Sequence, residues 1–149
     1  MRLAPLARMA VLFVLCAVLL AFPRPAKTAT PTQAEHALLT ALNDVRASFH
    51  LHRLRFSKRL QEGAQGYARR LRYRGLFAHA QLAPDVAETL AWGRQRAMEP
   101  REIVRLWLES PTHRVVLLWP EARRVGFGIS IGPYRGYESI SVAVGRFSQ

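Results

Sequence analysis

Apolar residues recur at helical spacing soon after the first thirty positions: Leu38, Ala41, Leu42, Val45 and Phe49 fall three or four apart and share one face. Thr32 and Glu35 have capping-box spacing, so the pattern predicts a first helix over about Gln33 to Phe49. A basic connector, His50 to Arg55, leads to Phe56. Ser57 is a good N-cap for a second helix with the stripe Leu60, Ala64, Tyr67, Ala68 and Leu71, and Gly75 is placed to stop it. From Leu76 to Met98 the periodicity lapses. That stretch reads as a long ordered loop holding His79, Pro84 and Glu88, with room for one short turn of helix. Pro100 suits the first turn of a third helix with Ile103, Val104 and Trp107 inward, ending near Ser110. Ser110-Pro111 can also open a short helix through Leu118, with His113 in its first turn.

The period then changes to two. Val125, Phe127, Ile129 and Ile131 alternate with Gly126, Gly128, Ser130 and Gly132, and Ile140, Val142 and Val144 alternate with Ser139, Ser141 and Ala143. Gly132-Pro133-Tyr134-Arg135-Gly136 supplies turn residues between two antiparallel strands. The glycine-lined face implies close approach of another element. Helices first and strands last predict an α+β fold and argue against a parallel βαβ sheet; no Gly-rich phosphate loop follows a strand.

The N-terminus has a different character. Arg2 and Arg8 precede the apolar run Met9 to Phe22, closed by Pro23 and Pro25, which reads as a signal peptide over residues 1–29 or as an N-terminal membrane anchor. Residues 30–34 are a Thr/Pro linker, and removal of a leader predicts a mature start between Ala26 and Ala34. Cys16 is the only cysteine and lies inside that run, after Val14-Leu15 rather than a small residue, which disfavours lipid anchoring. A processed chain therefore has neither a disulfide nor a thiol nucleophile. The formal charge of +12 falls to +8 when Arg2, Arg8, Arg24 and Lys27 leave. Such a balance suits anionic envelope polymers or lipid headgroups as well as nucleic acid, and no motif specifies nucleic acid. Arg69, Arg70, Arg72 and Arg74 on the second helix read as a solvated face, or alternatively as an anion-binding patch.

His79, Glu88, Glu109 and His113 are ionisable residues set among apolar neighbours. Two imidazoles with one or two carboxylates can hold a divalent metal such as zinc with water in an open position, or act as an acid/base pair without metal. Each histidine could equally be a structural residue bonded to backbone, and Glu109 an exposed acid at a helix end. His36, His50 and His52 read as surface residues. Trp107 reads as core, Trp92 as core or cleft wall, and Trp119 as partly exposed.

Several segments occur in a telling order: Leu42-Asn43-Asp44-Val45-Arg46, Leu54 to Phe56, Gly75-Leu76-Phe77-Ala78-His79, Ala87-Glu88-Thr89-Leu90-Ala91-Trp92-Gly93, Trp107-Leu108-Glu109-Ser110-Pro111-Thr112-His113-Arg114, and Val125-Gly126-Phe127-Gly128. Together they resemble the CAP superfamily of cysteine-rich secretory proteins, antigen 5 and plant pathogenesis-related proteins, in particular its short, disulfide-free bacterial SCP-like branch. The resemblance implies one such domain over residues 35–149, an α-β-α sandwich in which helices flank a small antiparallel sheet. It also implies a cleft in which His79, Glu88 and His113 are the metal-ligand candidates, with Glu109 the nearest candidate for a fourth member. Ala87-Glu88-Thr89 replaces the family's Gly-Glu-Asn, and Val116 replaces an Asn, so two loop-bracing amides are lost. The function so implied is an exported, secreted or periplasmic protein whose cleft binds an envelope ligand, lipid or anionic polymer, with or without a divalent metal. The alternatives are a metal-assisted hydrolase acting on peptide or cell wall, and a basic polyanion-binding surface.

Overall fold

The computed structural model describes residues 31–94 and 98–149. The expected leader, Cys16 and the first linker residue lie outside them.

The first helix, α1 (Gln33–Ser48), begins in the expected capping box: the Glu35 N–H donates to Thr32 Oγ1 at 3.3 Å and the Thr32 N–H to Glu35 Oε2 at 2.7 Å. The last residue of the basic connector and the phenylalanine after it form β1 (Arg55–Phe56), followed by α2 (Lys58–Arg74). Ser57 is the N-cap of α2, but its side chain caps nothing. Its N–H instead donates to the Val125 carbonyl at 2.8 Å, extending the sheet. Gly75 ends α2 in the left-handed region at φ 63°, where the lack of a Cβ removes the steric penalty.

The expected long loop contains a strand, β2 (Ala87–Gly93). The apolar alternation that would announce it is missing because Glu88, Thr89 and Leu90 are all buried in succession. Pro100 and Pro111 each open a helix, α3 (Pro100–Glu109) and α4 (Pro111–Leu117). The tail is a hairpin of β3 (Arg124–Tyr134) and β4 (Tyr137–Ser148). Its turn is tighter than the expected five residues: Arg135 and Gly136 occupy it at φ 46° and 83°, and Gly132–Tyr134 belongs to β3 with a register irregularity.

The sheet order is β1-β3-β4-β2. It is mixed rather than wholly antiparallel, since β1 runs parallel to β3. One face carries Val125, Phe127, Ala143 and Phe147 against α1, α3 and α4, where Leu38, Leu42, Ile103, Val104, Trp107 and Leu117 are buried. The other face carries Ile140, Val142 and Val144 against Ala64, Ala68 and Leu71 of α2. The result is the expected α-β-α sandwich. Gly126 and Gly128 allow α2 to lie directly on the sheet, for a Cβ at either position would collide with the backbone of Leu60 and Gln61 or of Ala64 and Gln65.

Buried polar groups join these layers in pairs. Gln61 Nε2 donates to Glu35 Oε2 at 2.8 Å while Gln61 Oε1 accepts the Phe127 N–H at 3.0 Å, linking α1, α2 and β3. Asn43 bonds both the N–H and the carbonyl of Leu54, at 2.7 and 3.1 Å. Such satisfaction is what makes polar burial tolerable.

Candidate functional site

Glu88 is the fixed point of the site. It sits on β2 directly opposite Arg146 of β4, and its side chain is only 3 % exposed. Arg146 Nε donates to Glu88 Oε2 at 3.0 Å. Glu88 Oε1 accepts the Ala80 N–H at 3.0 Å and lies 3.2 Å from His79 Nδ1. A buried carboxylate is thus neutralised by one arginine and used to orient one imidazole.

The loop after α2 brings His79 to Glu88 through a second tie. Tyr67 Oη donates to the Ala78 carbonyl at 2.7 Å, and the Arg146 guanidinium lies 5.2 Å from the Tyr67 ring centre. Burial, and next the Glu88 charge, push the Tyr67 hydroxyl above its ordinary pKa. The His79 side chain is 58 % exposed. It opens on a pocket of about 340 Å³ whose lining includes Tyr67, Arg70, Arg74 and Leu76.

His113 reaches the same place from α4. Its ring centroid is 6.4 Å from that of His79, with the planes tilted by 59°. Burial first, and the neighbouring His79 second, push His113 below the ordinary imidazole pKa. Arg46 locks the far end of α4: its Nη1 donates to the carbonyls of Leu117 at 2.7 Å and Trp119 at 3.1 Å, and its Nε to that of His52 at 2.9 Å. Trp107 Nε1 donates to the Leu90 carbonyl at 3.1 Å, fixing α3 against β2.

His79 thus touches Glu88 on one side and faces His113 on the other, whereas Glu109 does not join them. Glu109 is bound to Arg105 Nη1 at 2.6 Å on the exposed side of α3, and its side chain is 58 % exposed. Its position at the last residue of α3 points it along that helix's own charge pair, as an i,i+4 partner. Among the described residues, no group of three or more His, Cys, Asp or Glu side chains is arranged to hold a metal. Glu88 Oε2 accepts from Arg146, and Oε1 accepts from Ala80 and lies against His79.

His36, His50 and His52 are exposed as expected, Trp107 is core, Trp119 is partly exposed, and Trp92 is exposed beside Tyr134 and Tyr137. Arg146 is a site-building residue that the sequence pattern does not single out, and Tyr67 and Arg46, noted there only in a helical stripe and a motif, build the site as well. Arg146 interrupts the apolar alternation of β4, a usable signal, but pairing it with Glu88 needs the register of the unrecognised β2.

Two histidines on separate elements, one braced by a buried carboxylate, lie beside a three-layer sandwich, and known proteins share that body. An outer surface protein from Borrelia burgdorferi superposes with a TM-score of 0.64 at 19 % identity, over 81 % of this chain and 96 % of that one. NaASP2 solved with Zn²⁺ gives 0.63 at 12 % identity, over 83 % and 82 %. An extracellular SCP-domain protein from Bacillus anthracis gives 0.57 at 18 % identity, over 76 % of this chain and 39 % of that one. At these identities the likeness is one of fold. No curated protein sequence matches the chain. Residues 39–147, however, match the model of the Cysteine-rich secretory protein family, a span that includes His79, Glu88, His113 and all of the sheet but its last residue, Ser148. On that match the chain belongs to the Cysteine-rich secretory protein (CAP) family.

Proposed function

We propose that this CAP domain works outside the cytoplasm as a binding module, taking a polar ligand between His79 and His113. The observation that carries the reading is the buried Glu88, which orients His79 at 3.2 Å while Arg146 neutralises it. A carboxylate buried to aim an imidazole at a solvent-facing gap makes sense if the imidazole's other nitrogen has a partner to hold. No Ser or Thr hydroxyl is bonded to either imidazole among the described residues, so the pair lacks an activated nucleophile. Arg70 and Arg74 beside the His79 pocket favour a ligand with negative charge or electron-rich oxygens.

A divalent ion such as zinc would be part of that ligand if the two imidazoles close on it, with no closed cage around it. With Zn–N bonds of about 2.0–2.1 Å, each ring centre would lie roughly 3 Å from an ion. Centroids 6.4 Å apart exceed the roughly 5–6 Å that one ion spans between two rings, so sharing it requires the exposed His79 ring to turn toward His113. His79 and His113 would hold it, Glu88 would brace His79 from behind, and water or ligand oxygen would complete the shell. Bound there, zinc would supply Lewis acidity toward that oxygen.

Calorimetric titration of the full chain with Zn²⁺ tests the reading. One saturable site is expected, lost in H79N/H113N and weakened about 10- to 100-fold in E88Q, which keeps the shape but not the charge behind His79. Equal zinc uptake by wild type and the double variant would sink it.

A further inference from the structure

The sheet edge opposite β2 carries a second concave feature, which neither His79 nor His113 lines. Arg53, Arg55, Arg123 and Arg124, with His52 and Leu54, line a cleft of about 640 Å³ around β1. All four arginines are exposed. Among the described residues, none of them forms an ion pair with a carboxylate. Glu121, the acid nearest to them along the chain, does not line the cleft.

Two of the arginines are in register, for Arg55 stands beside Arg124 in the parallel pairing of β1 with β3. Like charges placed opposite each other weaken a strand pair, and β1 is only two residues long. The backbone nevertheless holds them together: the Arg55 N–H donates to the Arg123 carbonyl at 3.0 Å, and the Arg123 N–H to that of Ser148 at 2.9 Å. The Arg123 guanidinium is itself positioned, its Nη1 donating to the carbonyls of Pro120 at 2.8 Å and Ala122 at 3.0 Å. The positive field extends inward. Arg46 has a lowered pKa, chiefly through burial and secondly through the Arg123 charge. An edge strand needs a charge to deter pairing with another strand, but that need does not account for four cations converging on one hollow.

We propose that this cleft binds a compact polyvalent oxyanion of the phosphate or sulfate class, with Arg55 and Arg124 as its paired donors. Guanidinium groups offer planar, bidentate N–H pairs to such oxyanions, and strands hold them more firmly than loops. The volume lies in the range of about 300–1,000 Å³ usual for small-ligand pockets. It admits a diphosphate or a phosphorylated or sulfated group larger than a single ion. The site is independent of the His79–His113 cleft, and its failure or success leaves that reading untouched.

Titration of the full chain with inorganic pyrophosphate at low salt should show saturable binding that weakens as salt rises. R55Q/R124Q should weaken it about tenfold or more. The same variant without anion should be as stable as wild type or more so, because the like-charge contact is gone; a purely structural pair would lower stability instead. R69Q/R101Q removes the same charge from exposed positions outside the cleft and should shift affinity by no more than about twofold. Should R55Q/R124Q fold poorly, R53Q, outside either strand, carries the same test. Non-saturable binding by wild type, or equal losses in the two double variants, would overturn the proposal. Cosedimentation with phosphatidic acid vesicles then separates the sources. Pelleting that depends on Arg55 and Arg124 identifies a lipid headgroup, and pelleting indifferent to them, beside pyrophosphate binding that is not, identifies a soluble phosphate.

Discussion

His113 is the residue whose protonation the fold controls most directly. Its imidazole is held below the ordinary pKa of 6.5, first by burial and then by the proximity of His79. Between that lowered value and 6.5 the unfolded chain binds the proton that the folded chain refuses, so stability rises with pH across the interval. His113's contribution is complete above 6.5 and is lost as pH falls through its folded pKa. The urea midpoint should therefore drop from pH 7.5 toward pH 5 in wild type and drop less in H113N. An NMR titration divides the cause: H79N should raise the His113 pKa but leave it below 6.5, because burial is the larger contribution. A return to 6.5 in H79N would mean that charge, not burial, governs the residue. A neutral His113 near pH 7 is also the form that can bind a metal.

At the level of elements, the contact of α2 with the sheet depends on missing side chains. A Cβ at Gly128 would enter the backbone of Ala64, and neither partner has a flexible end that can yield. Gly128→Ala should cost about 2 kcal/mol or more. Gly66, in the same helix, meets nothing within 4 Å, so Gly66→Ala should stabilise by roughly 0.5–1 kcal/mol. Equilibrium urea unfolding of the two variants checks both signs at once. That packing was legible in the sequence because Gly126 and Gly128 alternate with Val125, Phe127 and Ile129. The helices were legible for the same kind of reason, each having a periodic stripe and a cap or proline at its start. β2 was not, since Glu88 and Thr89 are polar yet buried, and only the register against β4 supplies Glu88 with Arg146. The parallel β1 was hidden by its length of two residues. For the candidate site, the family motifs located His79, Glu88 and His113. The same likeness put Glu109 beside them, but local i,i+4 pairing with Arg105 claims that side chain first.

For the molecule as a whole, the start of α1 is tied to the interior through one buried carboxylate. Glu35 is fully buried. It accepts from the Thr32 N–H on one side and from Gln61 and Gln65 of α2 on the other, at 2.7, 2.8 and 3.0 Å. The capping box is thus continuous with the interior seam that reaches Phe127, and Thr32 is part of the domain although a linker was expected to run to residue 34. Removal of a leader at or before residue 31 would preserve the box, whereas a cut at Ala34 would delete its hydroxyl. A chain starting at Pro31 should accordingly be more stable than one starting at Ala34 by about 1 kcal/mol, the usual worth of an N-cap. Thr32→Ala in the longer chain should reproduce most of that loss, since it removes the side-chain acceptor and leaves the length unchanged. Urea midpoints of the three proteins, measured with equal slopes, decide the matter. If the chain starting at Ala34 matches the one starting at Pro31, the box adds nothing and the folded body begins at Glu35. If Thr32→Ala matches wild type while the Ala34 chain does not, the stability comes from the backbone at 32 and 33 and not from the hydroxyl.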